Sequence, residues 1–204
     1  MVTCETAENI ERIYRFYKSK GFKFWQFIPC LDPLGEERGK HAHSLTPERY
    51  EQFLKKLFDC WYDDFMKGNY ISIRHFDNRI NMLMGKPPES CGMSGVCNCY
   101  FVIEADGSVY PCDFYVLDKY KLGNIQNMSF SYLMNQPVSH EFVEESRIAY
   151  DKCKDCKHYN VCRGGCRRDR LDNPADNYYC SALYNFFDYA MERMLKVIEK
   201  LQKG

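Results

Sequence analysis

The sequence predicts an α/β fold that passes, in its second half, into a loop-rich α+β region. Three observations predict it. Residues 1–30 place a helical apolar stripe directly before a short apolar run, residues 46–68 form a long amphipathic helix, and from residue 86 onward dense cysteines surround a hairpin signal. A helix joined tightly to a strand is the repeating unit of an α/β sheet or barrel.

The elements follow in order. Thr6 is the expected N-cap of the first helix, and Ile10, Ile13, Tyr14 and Tyr17 supply its apolar stripe. Gly21 stops the helix, and Phe22 to Pro29 then reads as a buried strand. Leu31 to Thr46 is a loop with Pro33, Gly35, His41 and His43. It lies past the C-terminal end of that strand, where open α/β sheets bind their ligands. Thr46 caps the next helix with Pro47 at its first position. Tyr50, Phe53, Leu54, Leu57, Phe58, Trp61 and Phe65 line its core face, and Gly68 ends it. Tyr100–Glu104 and Ser108–Pro111 read as two strands joined through Ala105-Asp106-Gly107. Short helices are expected within 126–147 and a cysteine-rich loop over 151–180. An amphipathic helix with Phe187, Ala190, Met191, Met194, Leu195, Ile198 and Leu201 closes the chain. The expected division is 1–85 and 86–204, at Lys86-Pro87-Pro88.

Composition excludes several classes. The 204 residues carry 28 basic and 28 acidic side chains, so no nucleic-acid footprint is expected. Aromatic residues make up 16%, which argues against a disordered chain. No apolar run reaches the length of a membrane span, about 18 residues. Met1 to Thr6 lacks the basic and apolar regions of a signal peptide, so a cytoplasmic location is expected. Twelve cysteines in that compartment read as metal ligands or redox groups rather than disulfides.

The strongest signal is Cys153-x2-Cys156-x5-Cys162-x3-Cys166, then Cys180, preceded by Cys91, Cys97 and Cys112. Thiolates near one another in sequence converge on a metal centre at little loop-closure cost. Soft sulfur ligands select zinc, copper(I) or iron–sulfur clusters. Eight cysteines suit two clusters at four ligands each, or two tetrahedral zinc sites. Spacing leaves both open. Cys4, Cys30, Cys60 and Cys99 remain as buried apolar thiols.

The run Cys97-x9-Gly107-x4-Cys112, followed by Cys153, Cys156, Cys162, Cys166 and Cys180, resembles the cysteine pattern of SPASM domains. Those domains follow the barrel of radical S-adenosylmethionine (SAM) enzymes that modify peptides and proteins. Further stretches resemble the anaerobic sulfatase-maturating enzymes: Phe24 to Pro33, Ser72 to Asn78, Cys91 to Cys97, and Tyr110-Pro111-Cys112-Asp113-Phe114. The resemblance implies the C-terminal remainder of a partial (β/α) radical-SAM barrel, followed by a SPASM domain with a hairpin and a closing helix. It also implies two auxiliary four-iron clusters: Cys91, Cys97, Cys112 and Cys166 for the first, and Cys153, Cys156, Cys162 and Cys180 for the second.

The implied reaction converts a cysteine or serine of a sulfatase into Cα-formylglycine. S-adenosylmethionine, cleaved at a third four-iron cluster in the full-length parent, yields a radical that takes a hydrogen from the substrate's Cβ. A base removes the thiol or hydroxyl proton, and an electron leaves through an auxiliary cluster. The resemblance gives Asp113 the role of base and Leu31 a contact with the adenine. Without it, Asp113 reads as a turn cap or a partner of Lys119. Arg74 and His75 could meet substrate backbone, and His41 and His43 are assigned no metal. The implied partners are an unfolded or nascent sulfatase as substrate and a flavodoxin or ferredoxin as electron donor. The Cys-x3-Cys-x2-Cys motif that binds the catalytic cluster is absent from the sequence. Truncation of a longer enzyme is therefore expected, with the fragment alone inactive. A maturase of another ribosomal peptide and a non-catalytic zinc or cluster module are the competing readings.

Overall fold

The structure, a computed structural model, describes residues 1–147, 150–170 and 177–203. By packing the chain forms two units: Met1–Pro88 with Asn177–Gly204, and Glu89–Asp176. The closing helix thus packs with the N-terminal region, whereas the motif-based boundary at residue 86 groups it with the cysteines. Of the expected loop over 151–180, the stretch 171–176 lies outside the described residues.

The first unit is a β–α–β–α run framed by helices. Helix α1 spans Cys4–Glu8 and α2 spans Ile10–Ser19. The cap of α1 is Thr3, not Thr6: the Thr3 hydroxyl accepts from the Thr6 N–H at 3.3 Å. Thr6 already lies inside the first turn, where its own N–H needs that acceptor. Ile10 and Tyr14 are buried, while Tyr17 is exposed.

Strand β1 is only Phe24–Trp25 and pairs in parallel with β2, Ser72–Ile73. The apolar run expected to be one strand splits, because its far end bridges to a different neighbour, Pro29 against Val2. Parallel neighbours need a long crossover. Here it contains α3, Pro47–Met66, capped by Thr46 with Pro47 in its first turn. Every residue of the expected stripe on α3 is buried. The sequence pattern did not show Asp64, which is buried on the same helix. Its carboxylate accepts from the Tyr14 hydroxyl at 3.0 Å and pairs with Lys18 at 2.6 Å, tying α2 to α3. Trp61 is buried with its indole N–H donating to the Ile71 carbonyl at 2.9 Å, which anchors the segment leading into β2.

Helix α4, Arg74–Leu83, starts where β2 ends. The closing helix, Cys180–Lys203, lies on α3 and α4. Phe58, Phe76 and Phe186 meet there with ring centroids 5.3 to 6.0 Å apart. Phe187, Ala190 and Met194 are buried as expected, but Leu195 and Leu201 face out and Val197 takes the inward place. Among the described residues no helix is long and apolar enough to cross a membrane.

The second unit has little regular structure. Helix α5 is Cys91–Ser94. The hairpin forms as read: β3, Val102–Ile103, runs antiparallel to β4, Ser108–Tyr110, with Val102 opposite Tyr110. A third strand, β5 at Gly123–Asn124, was not expected, since neither residue favours strands. Gly123 suits that place because its φ of +149° is strained for any residue with a side chain, and a Cβ would also press on the buried Leu133 at 2.7 Å. The expected short helices are α6, Phe130–Met134, and α7, Pro137–Glu144. Two single-turn helices follow, α8 at Asp151–Lys154 and α9 at Tyr159–Cys162.

Phe58 is fully buried at the meeting of α3, α4 and the closing helix. Phe58→Ala should destabilise the first unit by about 3–5 kcal/mol, as large-to-small aromatic changes do. A lowered urea midpoint with unchanged m-value checks this, and an unchanged midpoint would refute it.

Candidate metal centre

Cys91, Cys97, Cys112 and Cys166 stand on four separate segments of the second unit. Cys91 opens α5, whose end is held by the Ser94 hydroxyl donating to the Cys91 carbonyl at 2.9 Å. Gly92 lies against Cys166, where a Cβ would stand 3.3 Å from the Cys166 Cβ. Cys97 is fixed by its N–H donating to the buried Ser146 hydroxyl at 2.8 Å. Cys91, Cys97 and Cys166 lie within electrostatic reach of one another. Cys112 and Cys97 pack on one aromatic cluster, Tyr115, Tyr120 and Phe142.

The backbone turns sharply between Cys162 and Cys166. Arg163, Gly164 and Gly165 are three successive residues in the left-handed region, with φ of +53°, +78° and +70°. They reverse the chain between Cys162 and Cys166, and Gly165 N–H closes the turn on the Cys162 carbonyl at 3.2 Å. Arg167, the residue after Cys166, is fixed by its side chain. Its guanidinium pairs with Glu145 at 2.6 Å and lies 4.9 to 5.4 Å from the rings of Phe142, Tyr115 and Tyr120.

Cys153, Cys156 and Cys162 lie together in sequence on α8, the turn after it and α9. Cys180 begins the closing helix and belongs to the first unit. Among the described residues no three of His, Cys, Asp and Glu are drawn together as a single metal ion would hold them.

The donor set fits an iron–sulfur cluster. It consists of soft thiols alone, and none of the twelve cysteines is bridged to another. Burial pushes the Cys166 thiol up to about 12 and the Cys112 thiol up to about 11. Sulfurs so placed stay protonated unless a metal supplies positive charge, which deprotonates a ligating thiol outright.

Asp113 follows Cys112 and opens a 3₁₀ turn, Asp113–Tyr115. It neither caps that turn nor pairs with Lys119, whose ammonium lies 4.6 Å over the Tyr120 ring. The Asp113 carboxylate accepts from the Tyr100 hydroxyl, and the Cys112 sulfur lies 3.5 Å from the same carboxylate oxygen. Sequence reading missed Tyr100. The paired register ends at Val102 and Tyr110, and beyond it the Tyr100 N–H bonds the Pro111 carbonyl at 3.1 Å, which sets Tyr100 alongside Pro111 and Cys112.

In the first unit Leu31 is half-buried at the head of the 31–46 loop. The neighbouring Asp32, also missed, organises that loop. It is buried and accepts from Gly39 N–H at 2.8 Å and from the Ser44 hydroxyl, with Arg38 at 3.5 Å. Burial works against its charge, but the bonds from Ser44 and Gly39 and the charge of Arg38 hold the carboxyl below its ordinary value. His41 and His43 stack on each other, and His41 meets Glu36 at 2.9 Å. Arg74 is exposed on the first turn of α4. His75 next to it has a buried Nε2 without a hydrogen-bond partner, and burial followed by the charge of Arg79 lowers it to about 3.

Residues 91–157 match the SPASM family model, described as an iron–sulfur cluster-binding domain. Along 99% of its length the chain is 50% identical to a cysteine-type anaerobic sulfatase-maturating enzyme of Clostridium perfringens, of which it covers 56%. The chain resembles the C-terminal portion of an anaerobic sulfatase-maturating enzyme. A serine-type sulfatase-maturating enzyme of Bacteroides thetaiotaomicron is 29% identical over 92% of the chain, and half of that protein is covered. The native structure of anSMEcpe with bound AdoMet and Cp18Cys peptide superposes at a TM-score of 0.93 with 50% identity. That match covers 98% of this chain and 56% of the other. The maturase-like chain therefore spans about half the length of the curated relatives it matches. A SPASM domain is present, and the preceding β–α–β–α run accords with part of a radical-SAM barrel.

Gly95 ends α5 with φ +76°, and a Cβ there would lie 2.2 Å from the Arg163 carbonyl oxygen. Gly95→Ala adds that clash to the left-handed penalty of about 1–2 kcal/mol. Hydrogen exchange should quicken around residues 91–97 and 162–166 and stay slow in α3. Unchanged protection at both segments would refute the contact.

Proposed function

We propose that this chain is the auxiliary-cluster portion of a radical SAM protein-modifying oxidoreductase that converts a cysteine or serine of a sulfatase into Cα-formylglycine. One observation carries the reading: Asp113 stands beside Cys112, in the same unit where Cys91, Cys97 and Cys166 lie within electrostatic reach of one another. In this proposal residues 1–85 continue the barrel and 86–204 form the auxiliary domain.

The proposed ligands are Cys91, Cys97, Cys112 and Cys166 for auxiliary cluster I, and Cys153, Cys156, Cys162 and Cys180 for auxiliary cluster II. When bound, such a cluster supplies an acceptor for the electron released by substrate oxidation. The chain's own residues do the rest. Once the substrate Cβ has lost a hydrogen atom, the proton on its sulfur or oxygen has to leave, and the Asp113 carboxylate takes it. A positioned base of this kind is the usual device for proton removal in a transition state. Leu31 offers an apolar contact to the adenine of S-adenosylmethionine. Arg74, exposed on the first turn of α4, supplies a donor to the peptide backbone in this reading. The substrate is an unfolded or nascent sulfatase segment, a choice supported by the peptide in the matching structure. A flavodoxin or ferredoxin is the proposed electron donor, and the cytoplasm the proposed location. Cleavage of S-adenosylmethionine needs a Cys-x3-Cys-x2-Cys motif, which these 204 residues do not contain. That step is therefore assigned to a longer protein.

Anaerobic reconstitution of the chain should yield about eight iron and eight sulfide per polypeptide, the content of two four-iron clusters. Two zinc without sulfide would overturn the cluster reading and favour an interaction module.

Asp113→Asn, made in a protein that joins this chain to the catalytic half of the barrel, should lower formylglycine yield from a sulfatase peptide by about two to four orders of magnitude. Iron content and S-adenosylmethionine cleavage should persist, since Asp113 is no ligand and acts after cleavage. A near-normal yield would remove Asp113 from the mechanism.

A further inference from the structure

The Tyr100 hydroxyl lies at the junction of two acceptors. It donates to the Asp113 carboxylate and stands 3.4 Å from the Cys112 sulfur, while that sulfur and the same carboxylate oxygen are 3.5 Å apart. In the free thiol state the three groups are compatible, because Cys112 S–H can itself donate to the carboxylate. As a metal ligand Cys112 is a thiolate and has no hydrogen to give. A thiolate and a carboxylate then face each other at contact distance and repel. A third group carrying a donor relieves that conflict, and among the described contacts of these two side chains the hydroxyl that reaches both is Tyr100.

The placement of Tyr100 comes from the fold. Past the last paired residues, Val102 and Tyr110, its N–H is tied to the Pro111 carbonyl at 3.1 Å, one residue off that register. Cys112 itself is extended, with φ −159° and ψ 142°, and its sulfur stands 3.4 Å from the Tyr100 hydroxyl. Asp113 then turns away into the 3₁₀ segment, and its carboxylate returns to the same hydroxyl.

We propose that Tyr100 is a positioning residue that holds Asp113 beside cluster ligand Cys112 by presenting one hydroxyl hydrogen to both the carboxylate and the sulfur. The hydroxyl occupies one carboxylate oxygen and leaves the other to meet a substrate proton. Hydrogen bonds to cluster sulfurs also raise reduction potential. Tyr100 therefore links the group that takes the proton to the ligand shell of the proposed electron acceptor. This inference rests on the assignment of Cys112 as a ligand of auxiliary cluster I.

The test uses the reconstituted chain and needs no turnover. Iron content, the paramagnetic resonance signal of the reduced protein and its midpoint potentials are measured for wild type, Tyr100→Phe and Tyr100→3-fluorotyrosine. A Cys112→Ala chain identifies which signal belongs to auxiliary cluster I. Tyr100→Phe should keep its iron and lower the potential of that cluster alone. The fluorinated tyrosine keeps the ring and is a stronger donor, so it should move the same potential upward. In an Asp113→Asn background the effect of Tyr100→Phe should shrink, because the Asn amide can itself donate to the sulfur. If Tyr100→Phe proves too unstable to hold iron, the fluorotyrosine chain decides: an upward shift supports the proposal and no shift overturns it. An unshifted potential in a fully loaded Tyr100→Phe chain also overturns it. Failure of the underlying ligand assignment looks different, since Cys112→Ala would then retain every cluster signal.

Discussion

The order of the second unit depends on one cation. Arg167 follows Cys166 directly and lies over Tyr115, Tyr120 and Phe142 while pairing with Glu145 and donating to the Phe142 carbonyl at 2.9 Å. A guanidinium can do this because it is planar, stacks on rings and still offers several fixed donors, which a lysine ammonium cannot match. The same three rings, together with the buried Cys112, form the small core on which Cys97 also packs. The residue after one proposed ligand is thus bonded into the cluster of rings that supports two others. Arg170 repeats the device a turn later, reaching the Gly95 carbonyl at 2.7 Å and the Ser146 carbonyl. Ser146 in turn holds Cys97.

The two units are stabilised in different ways. In the first, long helices bury continuous aromatic faces, and polar groups such as Asp64 and the Trp61 indole find partners inside. Apolar burial is enough to order such a unit. In the second, regular elements are two to eight residues long and the apolar clusters are small. Cation-to-carbonyl bonds, left-handed turns and side chain-to-backbone bonds take over, and ligation by the proposed cysteines would complete the fold. A site assembled in this manner has its ligands defined by the same contacts that define the chain's path.

The 31–46 loop shows a similar economy in the first unit. Asp32 is buried within the loop it organises, accepting from Gly39 and Ser44 and facing Arg38, whose guanidinium stacks 4.4 Å from the Tyr178 ring. Leu31 is adjacent, so the proposed adenine contact sits on a loop held from within rather than on a free one.

The sequence by itself determined the helices with long apolar stripes, the hairpin and the cysteine pattern. Periodicity, the Thr46-Pro47 cap and the Asp106-Gly107 turn act locally and leave their mark in adjacent residues. Resemblance added the grouping of the cysteines and the attention to Asp113. Other features were decided only by tertiary structure. Thr3 rather than Thr6 caps the first helix, since the cap depends on which N–H groups the chain's entry leaves unpaired. Strand β1 is two residues long because its length is set by its partner, Ser72–Ile73, and not by its own apolar run. The closing helix packs with α3 and α4, because its stripe matches their aromatic faces rather than a feature near it in sequence. Cys166 turns toward Cys91 and Cys97 through three left-handed residues, one of them a non-glycine that no local propensity would place there. Tyr100 meets Cys112 and Asp113 only across a strand pair. Contacts between residues distant in sequence are set by register and packing, and a linear pattern holds neither.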